Sequence, residues 1–172
     1  MMRGDFHRTV FAIAVIFHCI TAWFSTGYHS EDEHHQVIGF AEARTGELPP
    51  AEWAWEYEER IRPSALPWIA TGVFELADTV GVEDPFDKTL LLRLLTVALA
   101  LVAVHGFVNA MHGTLAADLW KPFVIIAYFL WFLPFLHVRF CSETWSGLFV
   151  LMGLTIVLPE SHDRWWAARA GV

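Results

Sequence analysis

Glu31, Asp32 and Glu33 stand in a row, framed by His29, His34 and His35, directly after an apolar run from Val10 to Gly27. A run of that length can cross a bilayer, and carboxylates are expensive beside hydrocarbon. A dense acidic cluster at a membrane exit is therefore a candidate functional site. Carboxylates so placed can take a proton from an attacking hydroxyl as general bases. With the imidazoles they also offer a donor set for a divalent metal ion, His34 and Glu31 being candidate ligands. Adjacent His34 and His35 diverge on a helix, so only one of them faces the cluster. The competing reading is a solvated loop that merely ends the span.

The elements that must position these groups follow from composition. Hydrophobic residues make up 55% of the chain and mean hydropathy is +0.41, yet the net charge is −8. Apolar runs of this length exceed what a soluble core needs. The charges are segregated: residues 29–88 hold fourteen acids against four bases (Arg44, Arg60, Arg62, Lys88), whereas Arg3, Arg8, Lys121, Arg164 and Arg169 flank the apolar runs. The positive-inside rule then puts the N-terminus in the cytoplasm and the acidic loop outside. An acidic exterior excludes nucleic acid as the expected partner. The first run is too long for a signal-peptide core and lacks a small-x-small cleavage site, so it reads as an anchor. Cys19 and Cys141 lie in or beside apolar runs and read as buried small hydrophobes rather than a disulfide.

Four spans are expected in an all-α membrane protein, at 9–28, 89–110, 119–138 and 144–158, with residues 29–88 as one outer loop. Asp87 is the expected N-cap of the second span, and Pro134 should kink or unwind the third. His112-Gly113 fits an inner turn. The outer loop carries its own amphipathic helices. Ser30 and Glu33 form an S-x-x-E capping box opening a helix that runs to Thr45, with Val37, Phe40 and Ala41 inward and Gly46 as the stop. A second helix starts near Pro67, with Ile69, Ala70, Val73, Leu76, Ala77 and Val80 on its apolar side. Between them lies the segment Trp53-Ala54-Trp55-Glu56-Tyr57 and then Ile61-Arg62-Pro63-Ser64.

The order of these pieces resembles the first lumenal loop of the GT-C membrane glycosyltransferases, specifically glycosyltransferase family 22, which includes mannosyltransferases of GPI-anchor and N-glycan precursor assembly. Tyr28-His29-Ser30-Glu31-Asp32-Glu33-His34-His35-Gln36 matches the family's F-H-P-D-E-x-x-Q pattern. Trp53-Ala54-Trp55-Glu56-Tyr57 matches its W-E-W, and Ile61-Arg62-Pro63-Ser64 its I-R-S. Val138-Arg139-Phe140-Cys141-Ser142-Glu143-Thr144 matches a later T-R-x-x-S-x-x-E segment only in part. The Pro before the D-E pair is absent here, and the chain is far shorter than the family's enzymes. It reads as an N-terminal portion, expected to be inactive alone.

The resemblance implies transfer of a sugar, mannose foremost, from a polyprenyl- or dolichyl-phosphate donor to a glycan or glycolipid acceptor at the outer face. Asp32 matches the family's catalytic base. Glu33 has catalysis and helix capping as rival duties. Arg60 and Arg62 are candidate clamps for the donor phosphate, or ion-pair partners of Glu56, Glu58 and Glu59. Trp53, Trp55 and Tyr57 stack on a sugar or anchor at the membrane boundary. His29 and Arg139 are further substrate-binding candidates. Arg139 and Glu143, at i and i+4, are expected to pair at the outer end of the fourth span. Arg93 snorkels to headgroups or meets a phosphate. His105 and His112 share a helical face and are packing residues or haem ligands. The rival class is accordingly a non-catalytic or haem-bearing small multi-span subunit.

Overall fold

The computed structural model describes residues 3–25, 27 and 33–170, with side chains for those between 4 and 158. Among the described residues there is no strand. The first helix, α1 (Arg3–Phe24), is built inside out. Its inward stripe is His7, Val10, Ala14, His18 and Ala22, all buried, while Ile16, Trp23 and Phe24 are 63%, 64% and 75% exposed. Imidazoles inside and aliphatics outside suit a helix surrounded by lipid, where apolar surface needs no cover and polar groups must find protein partners. Cys19 lies on that exposed side rather than buried, because it shares a face with Ile16 and Trp23.

A π-helical turn, Glu33–Ile38, leads directly into α2 (Gly39–Thr45). Gly46 ends α2 at φ +82°, and its amide donates to the Glu42 carbonyl, an αL stop that a Cβ would strain. Val37, Phe40 and Ala41 are buried as their spacing required. A short α3 (Trp55–Glu58) precedes α4 (Ala65–Thr79). The buried stripe of α4 is Leu66, Ala70, Phe74 and Ala77, whereas Leu76 and Val80 are 66% and 70% exposed. The apolar side expected from the sequence was too wide: only the part touching α2 and α5 is covered. Val37, Ile38 and Ala41 meet Leu66, Ala70 and Phe74 over Leu92, Phe140 and Trp145, so the loop helices are docked on the top of the bundle.

The long α5 (Pro85–Ala110) starts earlier than expected. Asp84, not Asp87, is its N-cap: the Asp84 carboxylate accepts from the Phe86 amide at 2.8 Å, and Pro85 fills the first helical position where no amide is needed. Lys88 then reaches Asp78 at 2.9 Å and Glu47 at 3.3 Å, tying α4 and the end of α2 to the head of α5. The chain continues through α6 (Trp120–Phe129) and α7 (Leu133–Leu136) to α8 (Ser142–Ala170). The third expected span is thus two pieces. Pro134 has no amide to offer Leu130, which turns out of helical conformation, and the helix restarts with Pro134 in its first turn. Ala100, Ala103 and Gly106 put small residues toward α8; a Cβ on Gly106 would sit 3.4 Å from Thr155. Close approach of two apolar helices needs small side chains there.

Gly4–Phe24 and Pro85–Ala110 are long and apolar enough to cross a membrane, and Trp120–Phe129 and Ser142–Leu158 are shorter apolar helices. Between α1 and α7, the His18 Nδ1 donates to the Ala14 carbonyl at 2.8 Å. In the neutral ring this leaves Nε2 to accept from His137 Nδ1 at 3.1 Å. At the other end of α1, His7 stacks on His105 at 4.7 Å and reaches the Tyr128 hydroxyl at 2.9 Å. His112 sits edge-on to Trp120. His105 and His112 are therefore engaged with α1 and α6 as packing residues.

Candidate functional site

His29, Glu31 and Asp32 lie outside the described residues, as does Ser30, the expected cap. Their neighbours define the site. Glu33 opens the π-helical turn and is 6% exposed. Its carboxylate lies 3.9 Å from Arg139 Nη1, and Arg139 is itself 4% exposed. The i, i+4 pairing of Arg139 with Glu143 does not form. α8 begins only at Ser142, so Arg139 stands in a turn before the helix, and its guanidinium swings back to donate to the Gly27 carbonyl at 2.8 Å. Phe135 lies under that guanidinium at 4.4 Å.

Arg93 does not snorkel. It is buried on α5 and donates to the carbonyls of Ser25, Thr89 and Phe86. The side chain runs back along α5 to the Phe86 carbonyl in the first turn, where backbone carbonyls occupy the guanidinium. Two guanidiniums thus converge on the chain where it leaves α1. Buried cations of this kind are tolerated when paired or bonded to carbonyls.

Glu33 and Arg93 line a cavity of about 190 Å³ together with His34, Glu42, Thr89 and Phe140. Burial, then neighbouring His35, lowers the His34 pKa from its ordinary value. Burial first, then Glu47, raises that of Glu42, with Lys88 opposing. Among the described residues no three imidazole, carboxylate or thiol groups converge as a metal site. A second cleft, beside the C-terminal end of α1, is an open groove of about 470 Å³ lined by Ile20, Thr21, Phe24, Ser25, Phe135 and Arg139.

The remaining candidates divide. Arg62 forks onto Glu56, Nε and Nη2 donating to Oε1 at 3.0 and 2.7 Å, so its ion-pair reading holds in this structure. Arg60 is exposed, at φ +54°, on a third cleft of about 530 Å³. Trp53 and Tyr57 line this cleft, but Trp55 does not and is 65% exposed. Sequence reasoning named Arg93, Trp53 and Tyr57 but not the backbone carbonyls that Arg93 holds, nor the joining of Phe40 and Arg44 to the two aromatics in one cleft. The cleft depends on α2 folding back over α3.

The described residues form an all-helical chain with two helices apolar enough to cross a membrane and a docked segment rich in carboxylates and guanidiniums. The sequence profile of the Alg9-like mannosyltransferase family matches residues 9–168, nearly the whole chain, and the protein belongs to that family. No curated protein and no solved structure gives a significant match.

Proposed function

We propose that this chain forms the front of a GT-C membrane mannosyltransferase, four spans with the 29–88 loop on the outer or lumenal face. Mannose is transferred from a polyprenyl- or dolichyl-phosphate to a glycan or glycolipid hydroxyl. The acceptor oxygen attacks the anomeric carbon, the bond from that carbon to the phosphate oxygen breaks, and the lipid phosphate leaves with the electron pair. Asp32 takes the hydroxyl proton. The family match supports the reaction class. The observation that supports the donor assignment is the groove at Ile20, Phe24 and Phe135, which Arg139, the partner of Glu33, also lines. A lipid phosphate needs an apolar path that ends on a cation.

Arg139 suits that role better than Arg62 because it lines the groove, whereas Arg62 lies on the other cleft with Glu56. Arg139 Nε is buried without a hydrogen-bond partner. Arg93 acts through the backbone, holding the Ser25 carbonyl. The decisive experiment is mannosyl transfer from a polyprenyl-phosphate donor by the intact enzyme and its Asp32→Asn variant.

A further inference from the structure

Helix α2, with the end of the π-helical turn before it, is a wall between two cavities. Ile38, the last residue of that turn, and Glu42 of α2 line the cavity beside Glu33. Phe40 and Arg44, two residues further along and so about 200° around the helix, line the 530 Å³ cleft. That cleft has the capacity of a small-molecule site, roughly 300–1,000 Å³, whereas the inner cavity of about 190 Å³ does not.

Its wall is aromatic: Tyr57 packs edge-to-face on both Phe40 and Trp53, with centroids 5.1 Å apart in each case. Its polar groups alternate in sign. Arg62 and Glu56 are locked together, and Glu58 and Arg60 stand beside them. Arg44 rests over the Trp68 ring at 4.4 Å, and its Nη1 is buried without a hydrogen-bond partner. Arg60 is, among the described residues, the one non-glycine held at positive φ, a costly conformation at the rim of the cleft.

Donors and acceptors in alternation around an aromatic wall suit hydroxyls, each of which both donates and accepts, with a sugar's C–H face against the rings. They suit a phosphate poorly, because Glu56 and Glu58 repel it. We infer that this cleft binds the neutral sugar units of the acceptor, on the opposite face of α2 from the Glu33 cavity. The inference rests on the mannosyltransferase reading and gives its two substrates separate clefts.

The test is calorimetric titration of a neutral probe, methyl mannotrioside, into the full chain in lipid nanodiscs without donor. Saturable binding is expected, weakened about tenfold by Arg44→Gln and by Trp53→Ala, and unchanged by undecaprenyl phosphate. Should Trp53→Ala fail to fold, Arg44→Gln decides. Absence of saturable binding, equal affinity in folded variants, or displacement by undecaprenyl phosphate would each overturn the assignment. Binding is read without turnover, so its failure is separable from that of the transfer reaction, which the Asp32→Asn assay reads.

Discussion

The Glu33 carboxylate and the Arg139 guanidinium meet at 3.9 Å, both buried, from opposite ends of the chain. Arg139 also holds the Gly27 carbonyl, and Arg93 holds that of Ser25. Ser25 and Gly27, just past α1, and Glu33, at the head of the π-helical turn, are thus each met by a guanidinium from a distant part of the chain.

Breaking a buried pair leaves an uncompensated charge, at a cost of ~3–5 kcal/mol. At 3.9 Å the pair is longer than a hydrogen bond, so Arg139→Gln should fall at the low end, about 3 kcal/mol. Glu33→Gln should cost less. The double variant should be more stable than the sum of the two losses implies. Thermal melts in detergent check this; additive losses would mean that the two groups do not interact.

Asp32→Asn should lower transfer by the intact enzyme ~10²–10⁴-fold while donor still binds, because the amide keeps the shape but accepts no proton. Near-normal turnover would remove Asp32 as base and turn attention to Glu31 and Glu33. Arg139→Lys should mainly weaken donor binding, since an ammonium lacks the guanidinium fork.

Two loop groups give stability opposite pH slopes. The His34 pKa is lowered below 6.5 by burial, so its contribution is full above that value and is lost as pH falls through the depressed one. The Glu42 pKa is raised above 4.5, also chiefly by burial, so its contribution is full below that value and is lost as pH rises through the elevated one. His34→Gln should flatten the acid side of a melting-temperature profile, and Glu42→Gln should flatten the rise-in-pH loss just above 4.5. Unchanged slopes in both variants would contradict the burial of these side chains.

By charge segregation the acidic loop should lie outside and the residues after Leu158 inside. A cysteine at Glu47 should react with a membrane-impermeant maleimide in intact cells, and one at Arg164 only after permeabilisation. The reverse pattern would place the loop on the cytoplasmic side and end the lumenal reading.

Local signals were legible. Gly46 stops α2, Pro134 breaks the third apolar run, and Val37, Phe40 and Ala41 face inward, each by rules that operate within a few residues. Errors arose where the outcome depends on distant partners. Arg139 has Glu143 in helical register by sequence, but α8 starts too late and Glu33 is nearer in space. Asp84 and Asp87 both resemble caps; the Pro85 between them decides in favour of Asp84. Leu76 and Val80 look like core by periodicity, yet nothing among the described residues covers them. The Trp53 and Tyr57 cleft exists only because α2 lies across α3, a contact no spacing announces.

The hydrogen bond between His18 and His137 acts as a register pin. A slip of one residue would swing His18 through about 100° toward the lipid side and leave His137 facing aliphatic carbon, each imidazole losing its only ring partner in that pair. Substituting leucine at both positions should keep the volume and free the helix to slide. The bundle would then tolerate several offsets, and the holds of Arg93 on Ser25 and of Arg139 on Gly27 would shift with each of them.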